Sequence, residues 1–159
     1  RVRMINTLAV ASGSRGMAGG QAIDLAAVGR DLTVAQLETM HVHKTGALIR
    51  ASVQLGALCH GGLTDSEFEH LSRYAHCIGL AFQIKDDILD VEVDTVTLGK
   101  PQGSDAAQNK PTYPKLLGLA GAKQAAQRMH DEALTALRGF GASADGLRWI
   151  ADYIISRGN

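Results

Sequence analysis

The stretch Phe82-Gln83-Ile84-Lys85-Asp86-Asp87-Ile88-Leu89-Asp90 decides the reading of this chain. At about 100° per residue, Gln83, Asp86, Asp87 and Asp90 share one sector of a helix roughly 100° wide. Leu80, Ile84, Ile88 and Val91 form an apolar stripe on one side of that sector, and Ile78, Phe82 and Leu89 form another. A solvated face is not normally bordered by apolar residues on both flanks, so the carboxylates are predicted to look into a cavity between helices. Three carboxylates crowded in that way resist joint ionisation unless a cation joins them. Magnesium fits the pattern, because it takes one or two carboxylates, substrate phosphates and water. A bare DDxxD is more often a surface patch or a set of N-caps. Phe82-Gln83 and the two apolar flanks turn the reading toward a metal site at Asp86, Asp87 and Asp90.

Working outward, the helix holding this stretch begins at Thr64, where Glu67 three residues later completes a capping box, and runs to about Val93. Before it, Met17 to Val28 carries an apolar pattern with Gly19 and Gly20, as in a helix packed closely on a neighbour. Thr33 is a candidate N-cap for a helix through Lys44. Gly46 interrupts that pattern, which resumes and ends at Gly61-Gly62. All three prolines, Pro101, Pro111 and Pro114, lie in one stretch, and Asp94 to Thr112 reads as a loop. Helical spacing returns at Leu116-Leu117, from Ala122 to Leu137 and from Asp145 to Ile155. No internal repeat is present. The class is all-α.

Composition narrows the function. The chain has 159 residues, with Lys plus Arg at 16 and Asp plus Glu at 16, so no net charge recruits nucleic acid or an anionic membrane. A hydrophobic fraction of 45% excludes simple disorder. No apolar run is long enough to span a bilayer. Cys59 and Cys77 lie far apart with no CxxC pair, which fits a reducing, cytoplasmic setting. Because the sequence opens on Arg1-Val2-Arg3 inside a helical pattern, residues are expected to precede it, and we read the chain as part of a longer one.

Any affinity for phosphate must therefore be local. His41, Lys44 and Thr45 share a helix face by i, i+3, i+4 spacing, followed by Gly46, which permits close backbone approach. A lysine and a hydroxyl projecting together suit a phosphate oxygen. Lys100 and Lys110 lie on the loop after the aspartate helix, placed to close over a metal-held polyanion. The Walker spacing is absent around Gly99-Lys100. His43, His60, His70 and His130 have no partner at metal spacing and are expected at the surface or packed. Tyr74, Trp149 and Tyr153 are expected in the core or in helix packing.

Gly19-Gly20-Gln21-Ala22-Ile23-Asp24-Leu25, His41-Val42-His43-Lys44-Thr45-Gly46, the aspartate stretch and Gly99-Lys100 follow one another in an order that resembles the trans-prenyl diphosphate synthase family. The likeness is greatest to its bacterial farnesyl diphosphate synthase (geranyltranstransferase) branch. It covers the whole chain, residues 1–159, but only about the rear half of a family member. The resemblance implies the all-helical isoprenoid synthase fold, usually homodimeric, and head-to-tail condensation of isopentenyl diphosphate with an allylic diphosphate using Mg2+. By position, Asp86 and Asp90 would bind magnesium, with Asp87 supporting them. Lys44 and Lys100 would contact the allylic diphosphate, and Thr45 and Gln83 would lie beside the carbocation. Lys110 would join the diphosphate lid, Gln21 and Asp24 would line or brace the cavity, and Phe82 would contact the prenyl tail or second substrate.

The family's first aspartate-rich motif is absent from this sequence. A non-catalytic helical partner of the same fold is therefore the competing reading, and this chain alone would be expected to turn over little. A terpene cyclase relative is disfavoured by the His-x-x-Lys-Thr pairing.

Overall fold

The computed structural model describes residues 1–92 and 110–158. Among these every regular element is helical: α1 (Val2–Ser12), α2 (Met17–Ala27), α3 (Val34–His41), a π-helical turn (Val42–Gly46), α4 (Ala47–His60), α5 (Asp65–Glu92), α6 (Tyr113–Ala136), a 3-10 turn (Ala142–Ala144) and α7 (Asp145–Ser156). The expectations for Lys100 and for the loop from residue 94 to 109 lie outside the described residues.

Local chemistry sets the helix starts. At Thr33 the hydroxyl accepts from the Gln36 N–H while the Gln36 side chain accepts from the Thr33 N–H, a reciprocal box opening α3. Thr64 and Glu67 repeat the arrangement before α5: the Thr64 N–H and hydroxyl both donate to Glu67 Oε2 at 2.7 Å. Thr112 caps α6, with Pro114 in its first turn, where a missing N–H costs nothing. Gly61, at φ 74°, closes α4 in the left-handed region that glycine enters without penalty.

The interruption foreseen at Gly46 is a widened turn rather than a break, so the chain stays helical from Val34 to His60. The gap foreseen between Leu117 and Ala122 is Gly118, whose φ of 69° and ψ of 161° kink α6.

α5 is the central rod, and its most extensive partner is α6, with α4 and α7 also packed on it. One cluster joins Leu71, Tyr74, Ala75, Cys77, Ile78 and Ala81 of α5 to Ala133 and Ala136 of α6 and to Ala151 and Ile154 of α7. A second joins Ile84 and Ile88 to Leu37 and Met40 of α3 and to Tyr113, Ala122, Ala125 and Ala126 of α6. Small alanines at these contacts let the helix axes approach closely. Tyr74 is buried as expected, and its hydroxyl donates to the Leu147 carbonyl at 2.7 Å.

Trp149 and Tyr153 are not core residues: they are 71% and 62% exposed. α7 buries the face carrying Ala151 and Ile154, and the helical period puts Trp149, Ile150 and Tyr153 on the opposite side. Val91, expected in an apolar stripe, is likewise exposed at the end of α5. His130 is packed, its Nε2 2.7 Å from Asp152 Oδ1, tying α6 to α7. Arg148 binds the Leu137 and Phe140 carbonyls, at 3.0 and 2.6 Å, and so closes the C-terminal end of α6. Among the described residues no helix is long and apolar enough to cross a membrane.

Candidate functional site

Two close approaches position the π turn. A Cβ on Gly20 of α2 would fall inside the backbone of His43 and Lys44, so that contact exists only because the residue is glycine. On the other side, a Cβ on Gly79 of α5 would lie 3.2 Å from the Gly46 Cα. The turn is thus wedged between α2 and α5, and π turns of this kind recur at functional sites.

From that turn the side chains of Lys44 and Thr45 reach a cavity of about 320 Å³, lined also by Asp24, Met40, His41, Gln83, Asp86, Asp87, Lys110, Pro111 and Thr112. Lys44 Nζ lies 2.6 Å from Asp24 Oδ2. The Thr45 hydroxyl donates to Gln83 Oε1 at 3.0 Å, linking the π turn to the aspartate helix. His41, buried at the entry to the turn, stacks on Tyr113 with ring centroids 5.8 Å apart and planes at 15°.

The three aspartates occupy different surroundings. Asp86 stands on the cavity wall with its side chain 46% exposed, its Oδ1 3.7 Å from Arg157 Nη2. Asp87 also lines the cavity but is 8% exposed, and its Oδ2 accepts the Tyr113 N–H at 2.9 Å. Asp90 is 2% exposed and is not a lining residue.

Two other expected residues are off the wall. Gln21 is exposed on α2 and does not line the cavity. Phe82 packs against the first core cluster under Arg157, whose guanidinium carbon sits 4.3 Å from the ring centroid. Arg157 Nη2 also donates to the Phe82 carbonyl at 3.3 Å. Residues that sequence reasoning passed over are Met40, Pro111 and Thr112 on the wall, and Arg157 beside Asp86. The Lys110-Pro111-Thr112 run was visible as a loop, but only the fold shows that it forms a wall.

Among the described residues no three His, Cys, Asp or Glu side chains come together as a metal cage. Magnesium needs less, since one or two carboxylates suffice when phosphate oxygens and water complete its shell. Asp86, half-exposed on the wall beside Asp87, meets that smaller demand. The cavity lining therefore includes a half-exposed carboxylate, Asp86, together with the lysines Lys44 and Lys110. Such an arrangement can bind a polyanion carrying its own divalent ion.

The sequence matches the Polyprenyl synthetase family over residues 2–143. Farnesyl diphosphate synthase of Escherichia coli is 50% identical over an aligned stretch of 160 residues that covers 99% of this chain and 54% of the relative. Geranylgeranyl pyrophosphate synthase 7, chloroplastic, of Arabidopsis thaliana is 45% identical over 162 residues, covering 99% of this chain and 46% of the relative. The crystal structure of geranyltransferase from Helicobacter pylori complexed with magnesium and isoprenyl diphosphate superimposes with a TM-score of 0.81 at 32% identity, covering 97% of this chain and 50% of that one. The chain spans about half the length of the curated relatives it matches. The helical architecture is that of the isoprenoid synthases, and the chain belongs to the polyprenyl synthetase family.

Proposed function

We propose that the cavity holds the diphosphate of an allylic prenyl substrate as its magnesium complex, as one side of a synthase site that joins that substrate to isopentenyl diphosphate. The observation that carries this reading is the convergence of Lys44, Lys110 and Asp86 on one cavity from three separate elements. Relatives acting as farnesyl and geranylgeranyl synthases support the reaction class, and the Helicobacter pylori relative, complexed with magnesium and isoprenyl diphosphate, supports the ligand.

Magnesium, when bound, offsets the charge that gathers on the diphosphate as its bond to the prenyl carbon breaks. Asp86 is the carboxylate we assign to the metal, because its side chain is open to solvent on the wall. The Asp87 oxygen that receives Tyr113 is already committed, and Asp90 stands behind the wall. Lys44 supplies a fixed positive charge to the diphosphate and Lys110 a second, while Lys100 belongs to the same proposal by its sequence position. The hydroxyl of Thr45 and the amide oxygen of Gln83 present a neutral, hydrogen-bonded pair beside the prenyl carbon, where oxygen lone pairs favour positive charge without capturing it. Homodimerisation and a cytoplasmic setting complete the proposal, supported by the exposed apolar side chains Val2, Ile5 and Leu8 on α1 and by two free thiols.

Calorimetric titration of inorganic diphosphate into the chain, with and without magnesium chloride, tests the reading. Binding should need the metal and should be lost in Asp86→Ala. Absence of any magnesium-dependent heat in the unaltered chain overturns it.

A further inference from the structure

We propose that Asp87 acts on the site through Tyr113: it is a positioning residue that anchors the Lys110-Pro111-Thr112 wall, and not a ligand of the metal. The proposal rests on the diphosphate reading above and assigns a distinct task to the middle carboxylate of the motif.

Adjacent carboxylates face different partners here. Asp86 is half-exposed, whereas Asp87 is buried and receives the Tyr113 N–H in a bond that is itself buried and spans 26 residues of sequence. Tyr113 is the first residue of α6. A helix start leaves several N–H groups without helical partners and carries partial positive charge, so a carboxylate placed there is held by a charge-assisted bond and by the helix dipole.

Tyr113 is also a joint between walls. Tyr113 is 1% exposed and its ring stacks on His41, which leads directly into the turn bearing Lys44 and Thr45. Its backbone continues Lys110, Pro111 and Thr112, all of which line the cavity. One residue therefore meets the aspartate helix through its N–H, the end of α3 at the entry to the π turn through its ring, and the Lys110-Pro111-Thr112 wall through the chain. Removing the acceptor would strand a buried N–H and free this joint.

Asn and Ala at position 87 separate the two roles. An asparagine oxygen can still accept the Tyr113 N–H, but it lacks the negative charge a magnesium ligand supplies. In the Asp87→Ala chain, amide exchange at Tyr113 should rise, and affinity for inorganic diphosphate with magnesium should fall, each by about tenfold. In Asp87→Asn both should stay within about threefold of the unaltered chain. Asp86→Asn should lose diphosphate affinity while Tyr113 keeps its protection. If Asp87→Ala fails to fold by circular dichroism, the Asn variant decides alone. Retained Tyr113 protection in Asp87→Asn with diphosphate affinity as poor as in Asp86→Asn overturns the proposal. The diphosphate reading fails separately, through the titration of the unaltered chain.

Discussion

Lys44 Nζ and Asp24 Oδ2 stand 2.6 Å apart across the contact between α2 and the π turn, with side chains 33% and 12% exposed. The lysine proposed to meet the diphosphate thus has its direction set by a carboxylate on the same wall. Lys44→Ala should weaken magnesium-dependent diphosphate binding by roughly 10- to 100-fold, the scale of a lost hydrogen bond to a charged group. Asp24→Asn should have a smaller effect, because the amide oxygen still accepts from the ammonium. Calorimetry on the two variants orders them, and equal losses would show that Asp24 contributes charge rather than geometry.

Gly20 and Gly56 make opposite predictions for the same substitution. A methyl at Gly20 collides with the backbone of Lys44, which cannot swing aside, so Gly20→Ala should cost about 1–3 kcal/mol or more and disturb the site as well. Nothing lies within 4 Å of a Cβ at Gly56 in α4, and Gly56→Ala should stabilise the chain by roughly 0.5–1 kcal/mol through helix propensity. Thermal or urea denaturation measures both.

The Thr64 cap carries a pH signature. Hydrogen bonds from the Thr64 N–H and hydroxyl hold the Glu67 carboxyl below the ordinary glutamate range. A carboxyl with a lowered folded pKa contributes stability above its unfolded pKa, about 4.3, and that contribution disappears as pH falls through the lower folded value. Glu67→Gln should flatten this part of the stability profile. Thr64→Ala should cost about 1 kcal/mol at neutral pH. Denaturation midpoints between pH 2 and 6 report both effects.

Alkylation should separate the two cysteines. Burial pushes the Cys77 thiol up to about 11, with Glu132 nearby acting in the same direction. The thiolate is the reactive form, so Cys77 should resist iodoacetamide at pH 8 in the folded chain and react once denatured. Cys59, exposed on α4, should label first. Peptide mass spectrometry before and after urea gives the order, and early labelling of Cys77 would mean that α5 opens locally.

Much of the architecture is legible in local chemistry. Thr33 with Gln36 and Thr64 with Glu67 announce helix starts because a capping box involves neighbours only. Ile84 and Ile88 are buried as their period requires. Trp149 and Tyr153 were misplaced because aromatic character says nothing about which face of α7 meets α5 and α6; that choice falls to Ala151 and Ile154. The site divides in the same way. His41, Lys44 and Thr45 share a wall as their spacing foretells. Gln21 and Phe82, each inside a recognisable motif, lie off that wall, since a motif fixes residue identity without fixing the direction of every side chain.

The order of residues by itself determined the helical class and the family, and it named the groups we propose to meet a diphosphate, because periodicity, caps and motifs depend on near neighbours along the chain. Only the tertiary structure decided which carboxylate faces the cavity, which one holds Tyr113, and that Arg157 rests on Phe82 beside Asp86. The reason is physical: Asp87 meets Tyr113 26 residues further on, and Phe82 meets Arg157 75 residues further on. Contacts at those separations are set by how α5, α6 and α7 pack, and no local pattern encodes them.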